Sequence, residues 1–500
     1  MHWQDKLNTG KLVSCIGMLA IFSMAARLSV DTDTWWHLRA GEWIVNHAAI
    51  LNTDQFSYTR FGEPWRYPGW LVEAPMYLIY RYLGPGGLNM WTALMVTLAF
   101  YFVGKTLKGN PFLRAFVLIL AATVSGVYWA ARPYLVTFAL TAITLWIFER
   151  YRDSAPEPGG SFRRSGLGWL AVIMVIWVNS HGGFIIGFIV WGVYWLADSA
   201  THIKRAITNH RPIFSRDLWK SPLTLAGMVM VGAAFINPSG PAVLLYPLKT
   251  VGIGVLQEYI QEWQSPDFHS LSVQPFIWLI LLTLAAVGIS RRRIAFIDFA
   301  LVALFAYLGL MAGRNIALFA LAAPMVVTRH LTPVLSSLGR RMGIRMTPAR
   351  PAKGWQRLLN GAILGVILLA ALAKATLVYP RAANEQAFEK SLPVQAVEYL
   401  KIVKPPGRMF NSYNWGGYLI WALREYPVFA DGRTDLYDDE ILEQWLQVAR
   451  AEAGWLAILD RWDIQLFVIE PGLPVADILA DYGWIEIYRD DLAVIFRDKH

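Results

Sequence analysis

The chain has 500 residues and a net charge of +9; 55% of its residues are hydrophobic and only 16% are charged, against roughly 25% charged in a typical soluble domain. Such a composition excludes a set of soluble domains. The basic excess is gathered in alternate loops between apolar runs, so it points to membrane topology and excludes a nucleic-acid partner.

Apolar runs near the roughly 20 residues needed to cross a bilayer predict about eleven transmembrane helices. They fall near 12–30, 86–106, 111–130, 134–150, 167–180, 183–199, 221–237, 273–290, 295–313, 315–331 and 357–379. The first is preceded by Lys6 and Lys11 but lacks a small-residue cleavage site, so it reads as an uncleaved span. The fifth and sixth are separated only by Asn179–Gly182 and could be two short spans or a broken re-entrant pair. Cys15 is the one cysteine, which excludes a disulfide within the chain.

Basic residues give the orientation. Lys105 and Lys108 follow the second span, and Arg150, Arg152, Arg163 and Arg164 the fourth. Lys204, Arg205, Arg211, Arg216 and Lys220 follow the sixth, and Arg291–Arg293 the eighth. Arg340, Arg341, Arg345, Arg350, Lys353 and Arg357 lie between the last two. All share one side, which the positive-inside rule makes the cytoplasm. The expected localisation is a cell membrane, multi-pass, with the N-terminus cytoplasmic and the C-terminus outside.

The opposite face holds residues 31–85, short turns at 131–133, 179–183 and 313–315, a loop at 237–272 and everything after about 380. Long connections of this kind are usually functional. The first outer loop predicts amphipathic helices at 33–47 and 69–83. After 385 the period changes: strands are expected at 407–412, 427–431, 464–470, 484–489 and 492–497, with helices at 391–403, 414–424, 438–460 and 474–482. The fold class is therefore an α-helical polytopic membrane bundle over 1–380, including the outer loop 31–85, with an extracytoplasmic α/β domain over 381–500.

Chemistry concentrates in DTDTWWHLRAGEWI, where Asp31, Asp33 and His37 follow the first span. Two carboxylates two apart can hold one cation, or one can serve as a base, and poor solvation at the membrane boundary raises their basicity. The competing reading makes Asp31 a helix end, Asp33 an N-cap and Trp35 and Trp36 interfacial anchors. Glu73, on the second outer helix, is a further acid or metal partner; Glu262 and Asp267 in QEWQSPDF have a weaker claim. The outer turns offer Arg132 in ARPYL, His181 in WVNSHGGF, Asn237 in INPSG, and Arg314 with Asn315 in AGRNI. Outer arginines run against the positive-inside trend, and their forks suit phosphate oxygens. They could equally be snorkelling headgroup contacts, and His181 an interhelical hydrogen bond. In the tail, Asn414, Trp415 and Tyr418 lie in a glycine-rich turn, and Asp431 and Arg433 follow the next expected strand. Both turns would sit at strand carboxyl ends, where α/β domains bind ligands; the plain alternative is a tight turn and a surface ion pair.

The acidic D-x-D string after the first helix, with W-x-N-S-H-G-G-F later, resembles the GT-C superfamily of membrane glycosyltransferases, in particular the dolichyl-phosphate-mannose-protein mannosyltransferase-like type. The tail string N-S-Y-N-W-G-G-Y, followed by V-F-A-D-G-R, is similar to the W-W-D-Y-G region of oligosaccharyltransferases, with Asn414 where that family carries Asp. The resemblance implies a sugar donor on a polyprenyl phosphate lipid and transfer with inversion to a glycan, lipid or protein acceptor outside. Asp31 or Asp33 would act as base, or hold a divalent Mg2+ or Mn2+ with Glu73. Arg132 and Arg314, with Asn315 and His181, would face the donor phosphate. Asn414, Trp415, Tyr418, Asp431 and Arg433 would face the acceptor. A transporter or flippase of a lipid-linked or anionic substrate is the alternative, as is a non-catalytic assembly subunit. Transport would call for ionisable groups at mid-membrane depth, and Asp298 and Lys374 lie near span ends instead.

Overall fold

The computed structural model describes residues 7–154, 166–210, 212, 219–343 and 354–499. Of the loop charges above, Lys6, Arg163, Arg164, Arg211, Arg216, Arg345, Arg350 and Lys353 lie outside these residues.

Each apolar run contains a helix: Thr9–Ala25, Trp70–Thr106, Pro111–Ser125, Tyr134–Ser154, Trp169–Val178, Ile185–Thr208, Pro222–Ala234, Gln274–Ile289, Phe296–Met311, Ile316–Arg341 and Gly354–Val378. Lipid leaves backbone groups no other partner, so such runs have little choice. Five helical segments are long and apolar enough to cross a membrane unaided, namely Trp70–Thr106, Pro111–Tyr128, Gly182–Thr208, Gly313–Arg341 and Gly354–Val378. Thr9–Ala25, Trp169–Val178, Pro222–Ala234, Gln274–Ile289 and Phe296–Met311 are apolar but shorter. The chain is a mostly helical, multi-pass membrane protein.

The second outer helix and the second span, read separately from sequence, form one 37-residue element broken at Gly84. Gly84 has φ +66°, a region open to glycine, and Pro85 removes a helical N–H. The first outer helix, Thr34–His47, packs on this element so closely that a Cβ on Gly41 would stand 2.1 Å from the Glu73 carbonyl oxygen.

At the end of Tyr134–Ser154 remote from Tyr134, charges meet between helices. Arg152 donates to Asp298 at 2.6 Å and to Glu149 at 3.2 Å, Arg329 pairs with both carboxylates, and Tyr194 donates to Glu149 at 2.8 Å. Two arginines balance two carboxylates, which is how buried charge is tolerated. Arg329, inside an apolar run, had drawn no notice in the sequence.

The tail carries four strands: β1 (Arg408–Asn411), β2 (Ile464–Ile469), β3 (Ile485–Arg489) and β4 (Val494–Arg497), in the order β1-β2-β4-β3. β1 and β2 are parallel; the other two pairings are antiparallel. The strand expected at 427–431 does not join this ladder. It is fastened by the Asn411 side chain, which accepts from Phe429 N at 2.9 Å and donates to the Ala430 carbonyl at 2.8 Å, and it meets the outer loop through a bridge from Ser57 to Val428. The helix expected at 438–460 is two, Thr434–Ala449 and Trp455–Trp462, parted by Ala451 and Gly454 at positive φ. One apolar core runs from the spans (Phe100, Phe138) through Trp35 and Trp36 into the sheet (Phe410, Phe467).

Candidate active site

Asp31 and Asp33 divide their labour. Asp31 Oδ1 accepts from Asp33 N and Thr34 N, each at 3.0 Å, so it caps the Thr34–His47 helix. Asp33, at the N-cap position, makes no capping bond, and its side chain is left for other work. The N-cap that sequence reasoning offered to Asp33 thus belongs to Asp31.

Arg132, in the turn before Tyr134–Ser154, binds this pair. Its Nε lies 2.7 and 2.8 Å from the Asp31 oxygens and its second terminal nitrogen 2.5 Å from Oδ2. The first terminal nitrogen is 2.9 Å from Asp33 Oδ2. Glu262, from the loop 237–272, closes the group at 3.0 and 3.2 Å from the two terminal nitrogens. Its hydrogen bonds run from Nε and the second terminal nitrogen to Asp31 and from the first terminal nitrogen to Glu262, and Asp33 adds an ion pair. Burial works against the Arg132 charge, but Asp31, Asp33 and Glu262 outweigh it and hold its pKa well above the usual value. Asp31 is 10% exposed and saturated by its partners, whereas Asp33 is 27% exposed. Desolvation is the largest influence on Asp33; Arg132 opposes it, Asp31 and Glu262 add to it, and its pKa is pushed up to about 7.

A second cation stands apart from this cluster. Arg314 lies over the Trp263 ring, 4.4 Å from its centroid, while its backbone carbonyl accepts from the Tyr134 hydroxyl at 3.1 Å. Among the described residues its guanidinium forms no ion pair. His181 lies nearby: Nδ1 accepts from Gly183 N at 2.9 Å and meets Thr137 Oγ1 at 2.9 Å, which itself accepts from Trp177 Nε1 at 2.8 Å. With Nδ1 accepting, a neutral ring must carry its proton on Nε2. Burial, then the charges of Arg314 and Arg132, push the His181 pKa down to about 3, so the ring is neutral. Asn315 donates to the Leu308 carbonyl at 3.2 Å and serves its own turn. Asn237 does likewise for the Asn179 turn, donating to the Val178 carbonyl at 2.9 Å.

The tail presses on the acidic loop through two glycines. A Cβ on Gly432 would lie 2.0 Å from Asp33 Oδ1, and one on Gly417 would lie 2.7 Å from the Thr32 carbonyl oxygen. Only glycine permits that approach. Tyr418 packs edge-on against Trp35, centroids 5.2 Å apart, Trp415 is buried and Asn414 is exposed. Asp431 and Arg433 are not at the surface. Arg433 is 0% exposed, paired with Asp431 at 2.7 Å and with Asp54 of the outer loop at 2.6 Å. Tyr437 donates to Asp431 at 2.8 Å, and Trp65 and Phe56 cover the guanidinium. This group locks the outer loop to the tail; no atom of the Arg433 side chain is open to an acceptor.

His37 and Glu73 also face each other rather than the Arg132 group. His37 Nδ1 lies 2.9 Å from Glu73 Oε1, with both side chains buried. Burial first, and then the charge of Arg132, hold the His37 pKa well below its usual value. Sequence reasoning missed Trp263 and Tyr67, whereas Asp435 belongs to the polar turn expected after 427–431. Tyr67 lies within electrostatic reach of Asp33, Glu73, Arg314 and Asp435, and Asp435 accepts from Trp65 Nε1 at 3.1 Å. The only signal for Trp263 and Tyr67 was aromatic residues in loops of the same face.

No protein-family model matches the sequence, and no curated protein does. Solved structures similar to the chain include the archaeal oligosaccharyltransferase AglB from Archaeoglobus fulgidus, in complex with an inhibitory peptide and a dolichol-phosphate. It is 13% identical, with a TM-score of 0.57 over 91% of this chain and 69% of that one. The arabinofuranosyltransferase AftD from Mycobacteria is 15% identical, with a TM-score of 0.50 over 99% of this chain and 40% of that one. ArnT from Cupriavidus metallidurans aligns over 96% of both chains at 12% identity and a TM-score of 0.48. The chain shares its fold with AglB and AftD.

Proposed function

We propose that the chain is an integral membrane glycosyltransferase moving a sugar from a polyprenyl-phosphate-linked donor to an acceptor on the extracytoplasmic face. One observation carries the reading: Asp33, a carboxylate with lone pairs to spare, and Arg314, whose guanidinium forms no ion pair among the described residues, both lie within electrostatic reach of Tyr67 among the outer loops. The dolichol-phosphate in the AglB structure supports a lipid-borne donor. Eleven spans with the basic loops inside would put these groups outside, where nucleotide sugars are not normally supplied.

In this reading Asp33 takes the proton of the acceptor hydroxyl as its oxygen bonds to the anomeric carbon. The bond from that carbon to the phosphate oxygen breaks with its electron pair leaving on the phosphate, and the configuration inverts. Arg314 stabilises the charge that develops there, and His181 offers its Nε2 proton to the same oxygens. Arg132, its N–H groups committed to carboxylates, positions the base and does not bind the donor. Asp31 fixes the loop, and the exposed Asn414 is left as the tail residue open to an acceptor, Trp415 and Tyr418 being buried behind it. Among the described residues no three His, Cys, Asp or Glu side chains gather as a metal would need, and Glu73 is turned to His37. The expected Mg2+ or Mn2+ does not fit this donor set, and no step is routed through one.

Sugar transfer from a polyprenyl-phosphate donor by Asp33→Asn and Asp31→Asn variants that purify as monodisperse protein tests the proposal. Near-complete loss in Asp33→Asn with the smaller loss in Asp31→Asn is expected; unchanged transfer in Asp33→Asn would remove the mechanism.

A further inference from the structure

Three carboxylates from two distant stretches of chain, Asp31 with Asp33 and Glu262, converge on one centre, and that centre is filled. The Nε of Arg132 and both of its terminal nitrogens contact them at 2.5–3.2 Å. A hard divalent cation prefers carboxylate oxygens, but these three are spread around a guanidinium and, as placed, form no metal-holding group. Here Nε and both terminal nitrogens are engaged by those carboxylates, so a metal entering the group would have to displace a bidentate arginine.

The turn holding Arg132 is itself fixed. Arg27 donates to the Trp129 carbonyl at 2.8 Å, Thr34 Oγ1 to the Ala131 carbonyl at 3.1 Å, and Arg132 N to the Ala130 carbonyl at 2.8 Å. Thr34 also touches Asp31, so the arginine and the carboxylate are set by the same residue. Arg132 is a built part of the pocket, not a surface side chain that settled on acids.

We infer that Arg132 is the resident cation of this site, standing where the acidic loop would otherwise hold a divalent metal, and that the pocket is built to work without one. The inference rests on the glycosyltransferase reading only for the use of the pocket; the identity of the cation is a separate claim with its own readout. Arg132 is a positioning residue: it acts on the donor and acceptor only through Asp33.

Mn2+ alone is the probe, followed by electron paramagnetic resonance on the full chain in detergent. The native protein should leave Mn2+ free. Arg132→Gln removes the charge and leaves a shorter, polar side chain. It should bind one Mn2+ at least about a hundredfold tighter, the effect of deleting a like charge some 4 Å away, and adding Asp33→Asn should abolish that binding. Mn2+ held by the native chain and lost in Asp31→Asn overturns the inference. So does an Arg132→Gln protein that melts like the native one yet binds no Mn2+. If Arg132→Gln fails to fold, the native measurement still decides. Transfer by the native chain that survives chelation supports the inference, and a chain inactive on its donor both with and without Mn2+ refutes the glycosyltransferase reading without touching the cation.

Discussion

Two arginines of this chain sit among aspartates, and their surroundings set them apart. Arg433 is sealed: it pairs with Asp431 and Asp54, and none of the three side chains has exposure. Arg132 holds Asp31, Asp33 and Glu262 with 21% of its side chain open to the pocket. A closed group of this kind fixes one arrangement of two chain segments and does nothing else; a buried pair contributes little net stability, but breaking it is costly. An open group leaves one carboxylate short of partners, and that shortage is where chemistry begins. Sequence reasoning gave Asp431 and Arg433 to an acceptor, and burial gives them to architecture.

If the contrast is right, mutations at the two arginine groups fail in different ways. The largest effect belongs to the open group. Asp33→Asn should lower the transfer rate by about 10²–10⁴-fold, the usual worth of a general base, with melting temperature unchanged; equal loss of folding would erase the distinction. At the closed group, Arg433→Gln leaves two buried carboxylates unpaired and should destabilise the protein by about 3–5 kcal/mol. That loss would be read as a drop in melting temperature and lower yield.

Arg314→Gln should cost about 10²–10³-fold in transfer, the range for losing one stabiliser of developing charge, with the fold intact. Gly432→Ala drives a methyl group into Asp33, and a displacement of about an ångström can cost about 10²-fold; Gly472→Ala, on an open turn, is the neutral control. The mildest test is pH. With Asp33 pushed up to about 7 and active as the ionised form, the rate should fall about tenfold per unit below pH 7 and level off above it. A rate that rises on acidification would assign the base elsewhere.

Much of the membrane part was legible because the bilayer restricts the answers. Apolar runs such as 111–130 and 315–331 must be helices, since hydrocarbon offers backbone groups nothing else. The acidic loop was legible too, as was the choice it presented. What decided between Asp31 and Asp33 was a pair of backbone N–H groups that take Asp31 as their cap, a local detail that the repeat D-T-D-T leaves symmetric. Glu262 lies 130 residues from Arg132, and no spacing rule spans that separation. The 427–431 segment has the composition of a strand, yet the amide of Asn411 supplies the bonds a ladder would have made. His37 and Glu73 face each other because Gly41 lets their helices close to contact, a packing event invisible in either helix alone.

The central claim, that Asp33 and Arg314 frame one phosphate-binding pocket outside the membrane, is tested most directly by a density map of the chain with polyprenyl phosphate bound. The account predicts the phosphate within hydrogen-bond reach of Arg314, with Arg132 still bidentate on Asp31. A phosphate seated against Arg152 and Arg329 at the opposite end of the helices, or one that pulls Arg132 away from its carboxylates, would contradict it.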